Sequence, residues 1–150
     1  MREILFRGKR KDNGEWIEGS AINTQYDVKG NKHIYIGVFK TSEGYPLMKF
    51  IEWFEVVSET VGQYTGLTDK NGKKIFEGDI VKHYNNSDDV FDIGTVYWDE
   101  TFLQWKRTSI GNFHHSSFTY VMSRSCEYEV IGNIHDKPEL LGCKADADKT

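Results

Sequence analysis

The chain has 150 residues, 14% of them Phe, Trp or Tyr, and carries 19 basic against 23 acidic side chains for a formal net charge of −4. An apolar fraction of 38% with so small a net charge excludes a disordered acidic chain, and the net acidity excludes attraction of the whole molecule to nucleic acid. No apolar run approaches the roughly 20 residues of a transmembrane helix, and none follows the basic residues Arg2, Arg7, Lys9, Arg10 and Lys11, so no membrane span or secretory signal is expected and the cytoplasm is the expected compartment.

Taken in order, the elements are strands separated by turns. Residues 3–8 read as a first strand, Asp12-Asn13-Gly14 as a turn that tolerates positive φ, and Trp16 to Ile22 as the return of an N-terminal hairpin. Lys29-Gly30-Asn31 turns the chain into a strand through Ile34, Ile36 and Val38. In the stretch Leu47 to Val57, Phe50, Trp53, Phe54 and Val57 have the spacing of a helix face, but no cap precedes them and Val56-Val57 favours a strand, so the segment is expected to be extended. Asp69 to Lys73 and Ile75 to Asp79 are tight turns, the second with Gly78 at positive φ. Ile80 to Tyr84 is a strand and Asn85 to Asp89 an acidic loop.

Gly94 to Trp98 and Leu103 to Arg107 form a hairpin. An even loop sets Trp98 opposite Leu103 and Val96 opposite Trp105, with both tryptophans on the buried face. Ser109 to Ser117 is a polar connection, Phe118 to Met122 and Glu127 to Ile134 are the last strands, and Asp136-Lys137-Pro138-Glu139 opens a short helical turn. The expected fold is mainly β with little helix. It consists of an N-terminal hairpin region over about residues 1–60, able to supply an oligomer contact, a small SH3-like or related β-barrel over 61–141, and a polar tail over 142–150.

Chemistry-bearing patterns are sparse. The histidines are His33, His83, His114, His115 and His135; only His114 and His115 adjoin, and neighbours on a strand point to opposite faces. There is no HExxH or cysteine-rich pattern, and the loop Asn85 to Asp89 lacks the glycine and distal glutamate of a calcium loop. Ser116, Ser117 and Cys126 lie near His114 and His115 in sequence only, without a nucleophile elbow, and no phosphate-binding loop is present. No catalytic, cofactor-binding or metal-binding residue is assigned, and Cys126 and Cys143 are expected to remain thiols. Basic residues do interleave with an aromatic: Lys82, Tyr84, Lys106 and Arg107 in one region, Lys70, Lys73 and Lys74 in one turn. Were the barrel to bind a single strand of nucleic acid, Lys73, Lys82 and Tyr84 would make the contacts, although acidic residues Asp88 and Asp89 stand close by.

The block Gln63-Tyr64-Thr65-Gly66-Leu67-Thr68-Asp69-Lys70-Asn71-Gly72-Lys73-Lys74-Ile75-Phe76-Glu77-Gly78-Asp79-Ile80-Val81-Lys82 strongly resembles the YopX family of phage and prophage proteins. Tyr128 to Leu141 resembles that family's C-terminal signature. Ile4-Leu5-Phe6-Arg7-Gly8 and Glu55 to Val61 are similar too, with Ser58 where proline is expected. The resemblance implies a small, mainly β protein and transfers no catalytic or ligand residues. The resulting expectation is a non-enzymatic accessory protein that binds an unknown protein partner or a copy of itself. Single-stranded nucleic-acid binding is the alternative, and metal-assisted hydrolysis a remote third.

Overall fold

Period-two alternation of apolar residues, interrupted at glycine turns, builds twelve strands and two 3₁₀ turns in the computed structural model, which describes residues 3–84, 90–109, 119–124 and 126–141. The loop Asn85 to Asp89, the residues His114, His115, Ser116 and Ser117, and the tail 142–150 with Cys143 lie outside the described residues. The chain divides into two units, Met1–Tyr64 and Thr65–Thr150. No helix among the described residues is long and apolar enough to cross a membrane.

In the first unit, β1 (Phe6–Lys9) and β2 (Trp16–Gly19) form the expected antiparallel hairpin, with Gly14 at φ +73° in its turn. Three further strands, β3 (Ala21–Tyr26), β4 (Lys32–Ser42) and β5 (Tyr45–Val56), form an antiparallel sheet in that order. The β3–β4 turn is tied by Asp27, whose carboxylate accepts hydrogen bonds from the amides of Lys29 and Asn31 and from the Asn31 side chain. These bonds, those from Asn31 foremost, hold its pKa at about 2. Leu47 to Val57 is extended as far as Val56, its helical spacing overridden by the pairing of eight consecutive β5 residues with β4, from Thr41↔Lys49 to Ile34↔Val56. The core of the unit is Ile34, Ile36 and Val56, with Phe6, Ile17 and Val61 against it. Backbones cross closely at Gly19, where a Cβ would lie 2.3 Å from the Gly37 carbonyl oxygen. Strand β6 (Gly62–Thr68) begins in this unit, pairing Gly62 and Gln63 with β1.

The second unit holds the rest of β6, β7 (Lys74–Phe76), β8 (Asp79–Tyr84), β9 (Val90–Asp99), β10 (Gln104–Thr108), β11 (Thr119–Val121) and β12 (Glu127–Asn133), followed by a 3₁₀ turn at Pro138–Leu141. Five strands make a curled antiparallel sheet in the order β11-β10-β9-β8-β12. Bulges at His83/Tyr84 and Val130/Gly132 bend it. Ile75, Val81, Val96, Trp105, Met122 and Tyr128 fill its concave side, with Leu67, Trp98, Cys126 and Val130 packed against them.

The β9–β10 hairpin has a four-residue connection, Glu100 to Leu103, and both tryptophans share the core face, their rings 5.0 Å apart. Its register differs from expectation: Trp98 stands opposite Trp105, and Val96 opposite Arg107. Leu103 has left the ladder for the turn, at φ +52°, because the loop takes up two residues more than the tightest hairpin.

Asp69 shows how the turn chemistry holds this unit. One carboxylate oxygen accepts the amides of Asn71 and Lys73, closing the turn, and the other accepts the amide of Val130 on β12 at 3.1 Å. Replacing Asp69 by alanine leaves three backbone donors to find other partners, and should cost about 2–3 kcal/mol. A urea titration of Asp69→Ala should show that loss as a lower midpoint, with Asp69→Asn falling between the variant and the parent.

Candidate functional site

Alternation along β8 puts Lys82 and Tyr84 on one face, where Lys82 pairs with Glu129 of β12 in the ladder. The Tyr84 hydroxyl donates to the Glu129 carboxylate, and the Lys70 ammonium sits 3.8 Å from the centre of the Tyr84 ring and 3.4 Å from Glu129. The Tyr84 hydrogen bond, then Lys70, hold Glu129 below the usual carboxylate range, and Tyr84, then Glu129, raises Lys70. Lys73 is exposed in the turn that carries Lys70, with its amide bound to Asp69. The structure thus gathers Lys82, Tyr84 and Lys70 around a carboxylate.

Arg107 does not join that surface. It is adjacent to Lys106 on a strand and therefore points the other way, into the core, where it is 2% exposed. Its Nη1 lies 2.6 Å from Asp92 Oδ1, and Ser109 Oγ donates to the other Asp92 oxygen at 2.6 Å. Arg107 Nη2 donates to His83 Nδ1 at 2.9 Å, which assigns the neutral His83 tautomer with its proton on Nε2. Burial, then the Arg107 charge, lowers the His83 pKa. The Tyr120 ring packs on the guanidinium at 4.9 Å, and Arg107 Nε is buried with no hydrogen-bond partner. Sequence reading missed this cluster, yet a signal existed: Arg107 follows the buried Trp105 by two residues, and Asp92 precedes Val96 by four.

Beyond His83, whose ring centroid is 5.5 Å from that of Tyr128, an open cavity of about 350 Å³ is lined by Gly66, Leu67, Thr68, Ser123, Arg124, Cys126 and Tyr128. The Tyr128 hydroxyl accepts the Ser123 amide at 3.3 Å. Burial foremost raises the phenol's pKa. Cys126 is a free, half-buried thiol. Among the described residues no group of three or more His, Cys, Asp or Glu is arranged to hold a metal ion.

The first unit presents a different surface. On β4 and β5 the even-numbered residues Ile34, Ile36 and Val56 face the core, so the odd-numbered residues form the outer face. There Phe39 stands directly opposite Ile51, and Trp53 opposite Gly37, which in turn pairs with Ala21 of β3. Phe39 is 58% exposed, Ile51 37% and Trp53 44%. Trp53 and Ile51 close over Gly37, where a Cβ would meet Ile51 at 2.7 Å and Trp53 at 3.0 Å. This apolar strip ends in charge on one side: Lys11 to Glu55 at 2.6 Å, Glu55 to His33 at 2.6 Å and His33 to Asp27 at 3.6 Å. Lys11, then His33, lowers the Glu55 pKa.

Strand β5 is also the edge of its sheet. The segment after β1 covers only its end, through Lys11 N–H to Glu55 C=O at 3.0 Å and Val57 N–H to Lys9 C=O at 2.8 Å. Where that cover stops, Lys11, Asp12, Trp53, Phe54 and Glu55 surround a cavity of about 310 Å³.

The family model agrees with the sequence blocks. The family model described as YopX protein matches residues 5–142. A solved structure, the crystal structure of protein EF1440 from Enterococcus faecalis, is similar at 25% identity and a TM-score of 0.48, covering 92% of this chain and 97% of that one. Comparison with curated proteins returns no match.

The buried cluster generates two expectations. Arg107→Met removes the counter-charge of a buried carboxylate and should destabilise the protein by about 3–5 kcal/mol in chemical denaturation. His83 has a lowered folded pKa, so the unfolded chain binds its proton more readily. Its contribution to stability is full above the ordinary value of 6.5 and falls as pH drops below it. Denaturation midpoints measured between pH 7.5 and 5.5 should therefore decline less steeply for His83→Gln than for the parent.

Proposed function

The chain belongs to the YopX protein family, and from that premise we propose that it is a non-catalytic β domain that binds protein, acting as an accessory factor of a bacteriophage or prophage in the host cytoplasm. The observation that carries this reading is the strip of Phe39, Ile51 and Trp53 on the outer face of β4 and β5. Isolated exposed apolar residues are ordinary on protein surfaces, but adjoining large ones on one sheet face are a recurrent mark of protein contacts. Aromatic side chains supply contact area at small entropic cost, and Lys11, Glu55, His33 and Asp27 supply a polar rim along one side of the strip. The fitting partner is a protein surface that is apolar at its centre and extended in shape.

The nucleic-acid reading through Lys73, Lys82 and Tyr84 has less support. The Tyr84 ring carries Lys70 on one face, its hydroxyl is engaged by Glu129, and Glu129 adds negative charge beside the lysines. A base would have to displace Lys70 to stack there.

The test compares the parent with Phe39→Ser/Trp53→Ser in affinity capture from bacterial lysate, with and without nuclease. A protein captured by the parent in both arms and reduced at least tenfold for the double variant supports the reading. Capture that is lost with nuclease and untouched by the double variant overturns it, and directs attention to Lys73 and Lys82.

A further inference from the structure

Deepening that reading, on which it rests, we infer that the protein partner of β5 is β5 of a second copy of this chain, joined antiparallel across a two-fold axis at Ile51. The direction of the free backbone groups follows from the bonds already made. Glu55 C=O and Val57 N–H point outward to the Lys9–Lys11 segment. Alternation then sends the N–H and C=O of Trp53, Ile51 and Lys49 outward as well, along the part of the edge that no described residue covers. An edge with outward donors and acceptors is a template for another strand.

The side chains of β5 select the partner. A two-fold axis perpendicular to the sheet keeps each side chain on its own face, so it must pass through a residue rather than between two. An axis at Lys49 sets Lys49 against the partner's Lys49, and an axis at Glu52 sets Glu52 against the partner's Glu52; both place like charges directly opposite. An axis at Ile51 does the reverse. Ile51 meets the partner's Ile51, Lys49 meets the partner's Trp53, Phe50 meets the partner's Glu52, and Met48 meets the partner's Phe54. The lysine then approaches an aromatic ring, and no like charges oppose. The pairing runs from Met48 to Phe54 and stops where Lys11 already occupies the edge at Glu55. It also joins the two Phe39–Ile51–Trp53 strips into one apolar face across the axis. The Glu52 charge is met within its own subunit by Lys40.

Sedimentation equilibrium of the full chain tests this. The parent should show twice the monomer mass of 17.4 kDa at micromolar concentration. Ile51→Pro removes an outward N–H that makes no bond within the sheet, and should give the monomer with an unchanged far-ultraviolet circular dichroism spectrum. Ile51→Lys, which places two ammonium groups at the axis, should do the same should the proline variant misfold. In a Cys126→Ser/Cys143→Ser background, Ile51→Cys should form a disulfide-linked dimer on mild oxidation, because residues opposed in a hydrogen-bonded pair stand about 5.5 Å apart at Cα, within disulfide range. A parent that is monomeric throughout, or a dimer that persists in both the folded Ile51→Pro and Ile51→Lys chains, overturns the pairing. A monomeric parent whose lysate capture is nonetheless lost with Phe39→Ser/Trp53→Ser overturns the pairing while leaving the protein-binding reading in place.

Discussion

A guanidinium shut inside a small β unit has to be answered by a carboxylate, and the geometry of the second unit follows from that requirement. Arg107 and Asp92 meet at 2.6 Å with almost no exposure to water. Slipping β9 by one residue against a fixed β10 would turn Trp98 and Asp92 outward and bring Tyr97 inward, parting Trp98 from Trp105 and Asp92 from Arg107. Hydrophobic burial and ion pairing therefore enforce the same register. The pair is costly to bury and stabilises little against an apolar replacement, so its value lies in the register it specifies. His83 takes a donor of the guanidinium and Ser109 donates to the carboxylate, while Arg107 Nε stays without a hydrogen-bond partner. Gly94 fits the same scheme, since a Cβ there would lie 1.7 Å from the Thr108 carbonyl oxygen and force β10 away.

The first unit solves a different problem. Its sheet has three strands and one buried face, with Ile34, Ile36 and Val56 inside. A sheet covered on one side ordinarily carries polar residues on the other. Here the outer face carries them at Asn23, Gln25 and Lys49 but not at Phe39, Ile51 and Trp53. Core packing gives no reason for those three. Contact with another protein does, and the same strand offers its free edge beside them. Face and edge together leave β4 and β5 open to a partner, whereas the Tyr84 ring and hydroxyl are already engaged by Lys70 and Glu129.

Much of the fold was legible from local chemistry. Asp12-Asn13-Gly14, Lys29-Gly30-Asn31 and Ile75 to Asp79 announced turns because glycine alone enters the positive-φ region without strain, and Gly14, Gly30 and Gly78 lie there, although Ile75 and Phe76 belong to β7 and only Glu77 and Gly78 separate it from β8. Alternation announced β8, β9 and β12. The Asp69–Lys73 turn was legible as a turn, but its attachment to Val130 was not, since that bond spans 61 positions. Arg107 was misplaced on a basic surface because charge suggests solvent until the register assigns a face. The outer strip escaped for the same reason: Phe39, Ile51 and Trp53 look like core residues when read as a list.

What the sequence by itself determined is the strand content, the turns and the family, each carried by residues within a few positions of one another, or by contiguous blocks. What only the tertiary structure decided is which face of each strand meets water. A strand offers two equivalent sides at period two, and the choice between them rests on partners such as Asp92 for Arg107, or Ile36 for Val56, that lie far along the chain. Whether an apolar residue stabilises the interior or awaits a partner is settled only by that choice.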